Sequence, residues 1–433
     1  MADVANIAKI PELRKRILFS LGLLAVYRLG IFIHTPWVQT EAVKNFLKSD
    51  TVFEIFRMFS GGALEQFSVF ALGIMPYISA SIIFQLLTVA VPAIERLSKE
   101  GESGRHKITQ YTRYATVVLS LIQGFGISFG LRSQGFVTPG ISPIAFYLST
   151  VLTLTAGTTF LMWLGEMITE RGIGNGISLI IFTGIVSRVP SGFRDAWQNK
   201  SQFGDLFGFL ALVASIGLII AFVIYMERAQ RRIPIQYAKR VVGRQLMGVQ
   251  ASHLPLKVNS AGVIPPIFAS SLILFPATIA QFSKENELIS KVAVALSTGW
   301  FHTALYLALI IFFAYFYTAV AFNPVDVAEN LKKHGGYVPG IRPGKSTADF
   351  IDLILSRITL GGALYISAVC ILPNILGDQL GIPYSLTQTF GGTSFLILVG
   401  VAMDTLAQIE SHLLSRHYEG FLGAKGGGRF RGR

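Results

Sequence analysis

The sequence predicts an all-α polytopic membrane protein with ten transmembrane helices in two inverted halves of five. Three observations carry that prediction. Hydrophobic residues make up 52% of the 433 positions and charged residues only 14%, against about 25% charged in an ordinary soluble domain. Mean hydropathy is +0.55. The apolar residues are gathered into ten stretches, each near the roughly 20 residues that cross a hydrocarbon core. The single cysteine, Cys370, lies in one of those stretches, so the chain has neither a disulfide nor a cysteine metal site to organise it. Length alone suggests two or three soluble domains, but this composition makes one membrane domain the better reading.

The spans are expected at about 17–34, 68–91, 114–131, 145–165, 176–190, 207–226, 258–281, 303–322, 351–373 and 392–413. The first has Arg14, Lys15 and Arg16 ahead of an apolar run, as a signal peptide does. No small-residue cleavage site follows, so it is read as a retained helix. The second is interrupted by Pro76 and the fifth is short. With the N-terminus inside, 26 of the 37 Lys and Arg fall on inner loops and termini and 9 on outer loops, Arg188 at the end of the fifth span being counted with them and Arg28 and Arg357 lying within spans. Positive charge is retained on the cytoplasmic side, so both termini are placed there, and the net charge of +13 reports topology first. Ten spans divide near 195–205 into two sets of five, and an odd number per set makes the repeat inverted. Spans two and seven occupy matching places, each with proline near its start (Pro76; Pro265 and Pro266). Inverted halves commonly place a pathway at their interface.

The stretch "FRMFSGGALEQFSVFALGIMPYISASIIFQLLTVAVP" (Phe56 to Pro92) changes character halfway. From Ile74 it is apolar enough for a bilayer. From Phe56 to Phe67 it is too apolar for a solvated loop, yet Arg57, Glu65, Gln66 and the Gly61-Gly62 pair make it a poor span. On composition alone, an amphipathic helix lying on the outer surface is the favoured reading.

The inner loops carry long motifs. One reads "ERAQRRIPIQYAKRVVGRQLMGVQASHLPLKVNSAGVIPPIFASS" and the next "FNPVDVAENLKKHGGYVPGIRPGKSTADFI". Together with "GIMPYISAS", "GESGRHKITQYTRYAT" and "MWLGEMITERGIGNGISLIIF", they closely resemble the bacterial SecY family, from about Pro11 to Tyr418. The basic tail "GAKGGGRFRGR" falls outside the resemblance.

The resemblance implies a protein-conducting channel of the bacterial inner membrane, the central subunit of the Sec translocon. Unfolded chains pass outward and apolar segments leave sideways into lipid. It implies a clamshell around a central pore, with an N-terminal half over 1–195, a C-terminal half over 196–413 and a cytoplasmic tail over 414–433. The long inner loops lie at about 227–257 and 323–350. It also makes 56–67 a re-entrant plug helix, with Arg57, Phe59, Gly61, Gly62, Leu64 and Phe67 as its residues, before the second helix continues from Gly73. Irregular backbone at membrane depth is tolerated only inside protein or a water-filled cavity, which accounts for the mixed composition.

Residue by residue, the resemblance assigns a closing ring to Ile74 and Ile78, Ile177 and Ile181, Ile267 and Ile397. The first two pairs are each spaced i, i+4, on one helix face. A belt of branched aliphatic groups gates by dewetting and has no hydrogen-bond preference for a passing peptide. A lateral gate is implied between helices two/three and seven/eight, with Pro76, Gln85 and Thr88 on one side and Asn259 and Ser270 on the other. Pro76 crowds the carbonyl of Leu72, so a helix break is expected there. Polar contacts of these residues across helices are worth about 0.6–2 kcal/mol each, although Ser and Thr hydroxyls equally bond their own helix backbone.

The basic residues Arg231, Arg232, Lys239, Arg240 and Arg244 form one inner-loop patch, with Arg342 and Lys345 a second. By resemblance these dock the ribosome, through its RNA, and the SecA motor ATPase. Topogenic charge accounts for part of the cluster. Small membrane subunits like SecE and SecG are implied as partners, along with signal peptides, nascent chains and lipid.

No cofactor, metal or enzyme chemistry is expected. "GIRPGKS" lacks the residue spacing of a phosphate loop, the seven histidines have no zinc-ligand spacing, and no nucleophile is paired with a base. Intramembrane Asp404, Arg28 and Arg357 raise the rival class, a secondary transporter with inverted repeats. A coupled transporter needs titratable groups at its centre, whereas the assigned centre is all isoleucine.

Overall fold

The structure is a computed structural model and describes residues 10–49, 60–198, 205–237, 241–242, 245–246, 252–281, 299–380 and 391–426 of the 433. A helix occupies each of the ten expected places. In chain order the helices are α1 (Pro11–Gly30), α2 (Thr40–Ser49), α3 (Met75–Ala90), α4 (Pro92–Lys99), α5 (Glu102–Ser133) and α6 (Pro143–Arg171). Then come α7 (Gly176–Val186), α8 (Val189–Gln198) and α9 (Asp205–Arg228), followed by four strands. The last five are α10 (Ile264–Gln281), α11 (Gly299–Ala321), α12 (Pro324–Lys333), α13 (Lys345–Leu380) and α14 (Gly392–Gly426). Among the described residues seven helical stretches are long and apolar enough to cross a membrane, and the α3–α4 pair makes an eighth if counted as one span. The helix α1 is excluded from that set by its own charges, Arg14, Lys15, Arg16 and Arg28. The apolar part of α10 within the described side chains, Ile264–Ile273, is short. The chain is a multi-pass membrane protein.

Two expectations at α3 are corrected. Pro76 does not break a helix: it lies in the first turn of α3, where no intrahelical partner is lost and its fixed φ favours initiation. The break comes instead at Val91–Pro92, where α3 and α4 meet at 98°. Val91 is extended (φ −113°, ψ 112°), as a residue before proline prefers. The segment expected to be a plug helix is also different in its described part. Ser60 is helical, but residues 61–74 are turns interrupted by a bridge at Ser68, with Gly61, Gly62 and Gly73 at φ +59°, +96° and +59° and Phe67 at φ +43°. A helix cannot propagate through four left-handed residues. Arg57 and Phe59 lie outside the described residues.

The fold has two compact units, Met1–Phe193 with Ile397–Arg433, and Arg194–Leu396. In the first, α5 packs along α3 and α6, and α1 packs on α6 and α7. Its core gathers Leu64, Phe67, Ala71 and Leu72 from the turn segment against Leu131 of α5 and Phe146 and Leu154 of α6. In the second, α11 packs between α10 and α13.

The loops of the second unit hold strands that the sequence reading did not foresee: β1 (Gln230–Tyr237), β2 (Val241–Val242), β3 (Gln245–Leu246), β4 (Ser252–Lys257) and β5 (Gly336–Tyr337). The order β4-β1-β5 is antiparallel, with Arg232 opposite Pro255 and Ile233 opposite Leu254. The short β5 pairs only with Gln236 and Tyr237. Pro234 in the central strand therefore has no partner on that side to lose, which is the setting in which a sheet accepts proline.

Candidate functional site

The turn segment of the first unit is built from both ends. At its C-terminal end it is laced to the chain following α1: Thr35 N–H donates to Phe67 O and Val69 N–H donates to Ile33 O, each at 2.9 Å, with His34 bridged to Ser68. Local turns complete the path, Ser68 N–H donating to Ala63 O and Gly73 N–H to Phe70 O. The carbonyl of Val69 sits where a Cβ at Gly157 of α6 would fall, so only glycine lets the segment seat that deeply. Phe70 stacks on Phe160 with ring centroids 6.0 Å apart and leans on Tyr27. The segment is buried almost throughout. Its irregular backbone is thus enclosed by protein, the condition that membrane depth imposes.

Its N-terminal end is held by side chains. Tyr27 Oη donates to Ser60 O at 3.3 Å and Arg28 Nη1 to Gly61 O at 3.0 Å. Arg188, just past α7, meets Glu65 with Nη2 2.7 Å from Oε1. Gly61 presses on Gly184 of α7: a Cβ added to Gly61 would lie 2.6 Å from Gly184 Cα. The sequence reading noted Arg28 as an intramembrane charge and Glu65 only as a misfit in a span, and it missed Tyr27, Gly184 and Arg188. An arginine near the C-terminal end of an apolar span was the one available signal.

Of the six assigned ring residues, four lie on helices of the first unit in two i, i+4 pairs. Ile74 caps α3 and Ile78 follows one turn later, its N–H donating to Ile74 O; both are buried. On α7, Ile181 is buried, while Ile177 is half-buried and its Cγ1 is 2.9 Å from the place of a Cβ on Gly165, so that side chain packs on α6. The start of α7 is fixed by Asn175, whose Oδ1 accepts from Ile177 N–H and Ser178 N–H, and by Gly174 N–H donating to Gln408 of α14 at 2.9 Å. Ile397 belongs to the first unit and is buried; Ile267, on α10 of the second unit, is 9% exposed.

The assigned gate residues are satisfied locally. Thr88 donates to Gln85 O and Gln85 Nε2 to Ser81 Oγ on α3. On α10, Ser270 and Ser271 both donate to Ile267 O. These hydroxyls therefore follow the alternative of bonding their own helix. Asn259 is 4% exposed and donates from Nδ2 to Glu227 Oε1 at 2.6 Å, tying the end of α9 to the approach of α10.

The described members of the assigned docking set, Arg231, Arg232, Arg342 and Lys345, belong to one module. β1 and β4 carry Ile233 and Leu256 into a core with Val338 and Ile351, the latter fully buried, and Leu254, Val327, Leu331, Ile341 and Phe350 pack around it. The two long loops, read from sequence as separate patches, thus share one sheet and one core. Arg231 and Arg232 are exposed on β1. Arg342 and Lys345 are exposed at a tip between Gly340 (φ +81°) and Gly344 (φ +107°). Ile341 anchors that tip in the core, and Thr347 Oγ1 donates to Arg342 O at 2.9 Å. Lys239, Arg240 and Arg244 lie outside the described side chains.

Among the described residues no three His, Cys, Asp or Glu side chains are grouped as metal ligands would be. The arrangement is one of enclosed apolar surface, a folded-in irregular segment and an exposed basic module.

Known proteins resemble the chain in sequence and in fold. The SecY family model matches residues 68–406. Proteins named protein translocase subunit SecY from Pseudomonas aeruginosa and Escherichia coli are each 50% identical to the chain, over 95% of it and 94% of theirs. Among solved structures, one described as that of a protein conducting channel superposes with a TM-score of 0.65 at 16% identity, covering 96% of this chain and 98% of the other. A second, concerned with a SecY plug domain that stabilises the closed state and maintains a membrane seal, gives a TM-score of 0.64 at 17% identity over the same shares. The all-helical, ten-span fold expected from sequence is therefore the fold of these channels. With half its residues identical over nearly its whole length, the chain belongs to the SecY family.

Proposed function

We propose that the chain is the protein-conducting channel of a bacterial Sec translocon, moving unfolded polypeptides outward and releasing apolar segments into lipid. The observation that carries this reading is the turn segment Ser60–Ile74, irregular backbone enclosed at the start of a membrane helix. A channel that must seal between clients needs such an insert beside a wholly aliphatic pair such as Ile74 and Ile78, and that pair offers a coupled transporter no titratable or ion-coordinating group. In this reading residues 1–195 and 196–413 are the two halves, and residues 56–67 form the plug. The six isoleucines form the ring, and α3 and α10 border the lateral exit. It places the protein in the inner membrane with both termini and the β1–β4–β5 module cytoplasmic, as the basic inner loops support.

That module offers Arg231, Arg232, Lys239, Arg240, Arg244, Arg342 and Lys345 to acidic partners. Two relatives of the fold are described in complexes with ribosomes, one canine and one from yeast. A ribosome and a SecA-type motor are the proposed partners, and SecE-like and SecG-like helices complete the complex. Ribosomal RNA contacts through such side chains weaken steeply with salt.

The deciding experiment reconstitutes the chain with its small partner subunits in liposomes. It measures ATP- and SecA-dependent protection of a signal-bearing client from external protease, beside uptake of small labelled solutes. Client protection supports the channel. Solute accumulation without client protection assigns the chain to the rival transporter class.

A further inference from the structure

We infer that residues 60–66 are a stopper with one permanent and one releasable attachment, and that the Glu65–Arg188 ion pair is the adjustable fastening of the releasable end. The inference rests on the channel reading and names residues that the reading does not supply. The two ends of the turn segment are held by different chemistry. At Phe67–Val69 the attachment is backbone to backbone, with Thr35 and Ile33 as partners. No side-chain event loosens such a seam. At 60–65 side chains of α1 and of the residue pair that follows α7 reach oxygens of the segment. Tyr27 reaches Ser60 O, Arg28 reaches Gly61 O and Arg188 reaches the Glu65 carboxylate. The segment thus presents acceptors to two cations and a phenol.

The position of Phe67 supports the division. It is a non-glycine residue at φ +43°, a conformation disfavoured for a bulky side chain, and it stands where the fixed seam meets the clamped end. Strain there belongs to a hinge that other contacts hold. The Glu65–Arg188 pair is graded for release. Its side chains are 25% and 21% exposed, so water reaches the pair and it neither locks the segment nor leaves it loose. Arg188 sits in the two-residue turn between α7 and α8, where its carbonyl accepts from Gly192 N–H and Ser191 Oγ. Its backbone therefore stays in place when the carboxylate departs, and the guanidinium can recapture it.

The test uses the full chain with its partner subunits in planar bilayers, reading resting ion conductance with no client present. Removing one exposed or half-exposed pair shifts an equilibrium by roughly twofold to fivefold. Glu65→Gln and Arg188→Gln should each raise resting open probability by that factor, and Glu65→Arg and Arg188→Glu by more. The Glu65→Arg Arg188→Glu exchange should bring conductance back toward the parent. Should the reversals fail to accumulate in membranes, the two glutamine variants decide. Single variants as tight as the parent, or an exchange as leaky as its single members, would overturn the latch. SecA-driven client protection in the same preparations separates the two levels. A parent that exports clients while its variants conduct unchanged loses only the latch, whereas a parent that protects no client loses the channel reading and the latch with it.

Discussion

Gly184→Ala is the sharpest perturbation of the seal, because it adds one methyl group to an ordinary helix position. The new Cβ would lie 3.0 Å from Gly61 Cα and 3.3 Å from Gly61 N, inside the 3.5–4.0 Å at which carbon contacts are favourable. Overpacking of this kind costs about 1–3 kcal/mol. The cost is paid only while residues 60–66 rest on α7, so it biases the segment outward. At about 1.4 kcal/mol per decade, open probability should rise roughly fivefold to 150-fold. The same substitution raises helix propensity by up to about 1 kcal/mol, but α7 is helical in both states and that gain cancels.

Two companions make the argument exacting. Gly61→Ala brings the same contact from the other side, 2.6 Å from Gly184 Cα, and adds left-handed strain at φ +59°. Gly62→Ala meets nothing within 4 Å, yet carries comparable strain at φ +96°, worth about 1–2 kcal/mol. If the segment moves as a unit, that strain is present in both positions and leaves gating unchanged. Conductance of the reconstituted complex should therefore rank Gly61→Ala and Gly184→Ala well above Gly62→Ala and the parent. A Gly184→Ala channel as tight as the parent, or a Gly62→Ala channel as leaky as Gly184→Ala, would refute the close approach as part of the closed state.

Replacing Ile78 or Ile397 by Asn should wet the aliphatic belt, raising resting conductance and improving export of clients with weak signal sequences; unchanged values in both variants would remove these residues from the ring. Arg342→Glu should leave conductance alone and depress SecA-driven export. The coupling lost reaches several kcal/mol if the partner charge is desolvated and little at an open rim, and full export by this variant would reduce Arg342 to a topogenic charge. Ile351→Ala opens a cavity in the loop module at a cost of about 2–5 kcal/mol. Limited proteolysis should then cut near β1 and β5 while the membrane spans remain protected.

Hydropathy made the spans legible because crossing a bilayer is a property of about 20 consecutive residues, and each such run is visible in one dimension. Pro76 was misread for a local reason. Proline inside a helix breaks it and proline in the first turn starts it, and the apolar run gave no sign that α3 begins only at Met75. The actual break, at Val91–Pro92, lay where hydropathy fell and was read as a loop. β1 carried its own signal, Ile233 and Ile235 buried in alternation with exposed Arg232 and Pro234, but a proline in the run argues against a strand and the loops were read for charge. The fastening of the turn segment was illegible. Gly61 beside Gly184 and Glu65 beside Arg188 are pairings of residues far apart in sequence, and the oddity of Gly61 and Glu65 in an apolar stretch names no partner.

The shared core of the loop module sets an order on biosynthesis. β1 and β4 are made before α10, whereas Val338, β5 and Ile351 follow α11. Until the later residues emerge, Ile233 and Leu256 have no cover from that side, and the strand pair shows an apolar face to the surrounding water. The face closes only when two further spans have been synthesised and the chain has come back to the same side. A protein stalled or misthreaded between α10 and α11 therefore carries a visible mark of its own incompleteness, one that chaperones and proteases recognise by its chemistry alone.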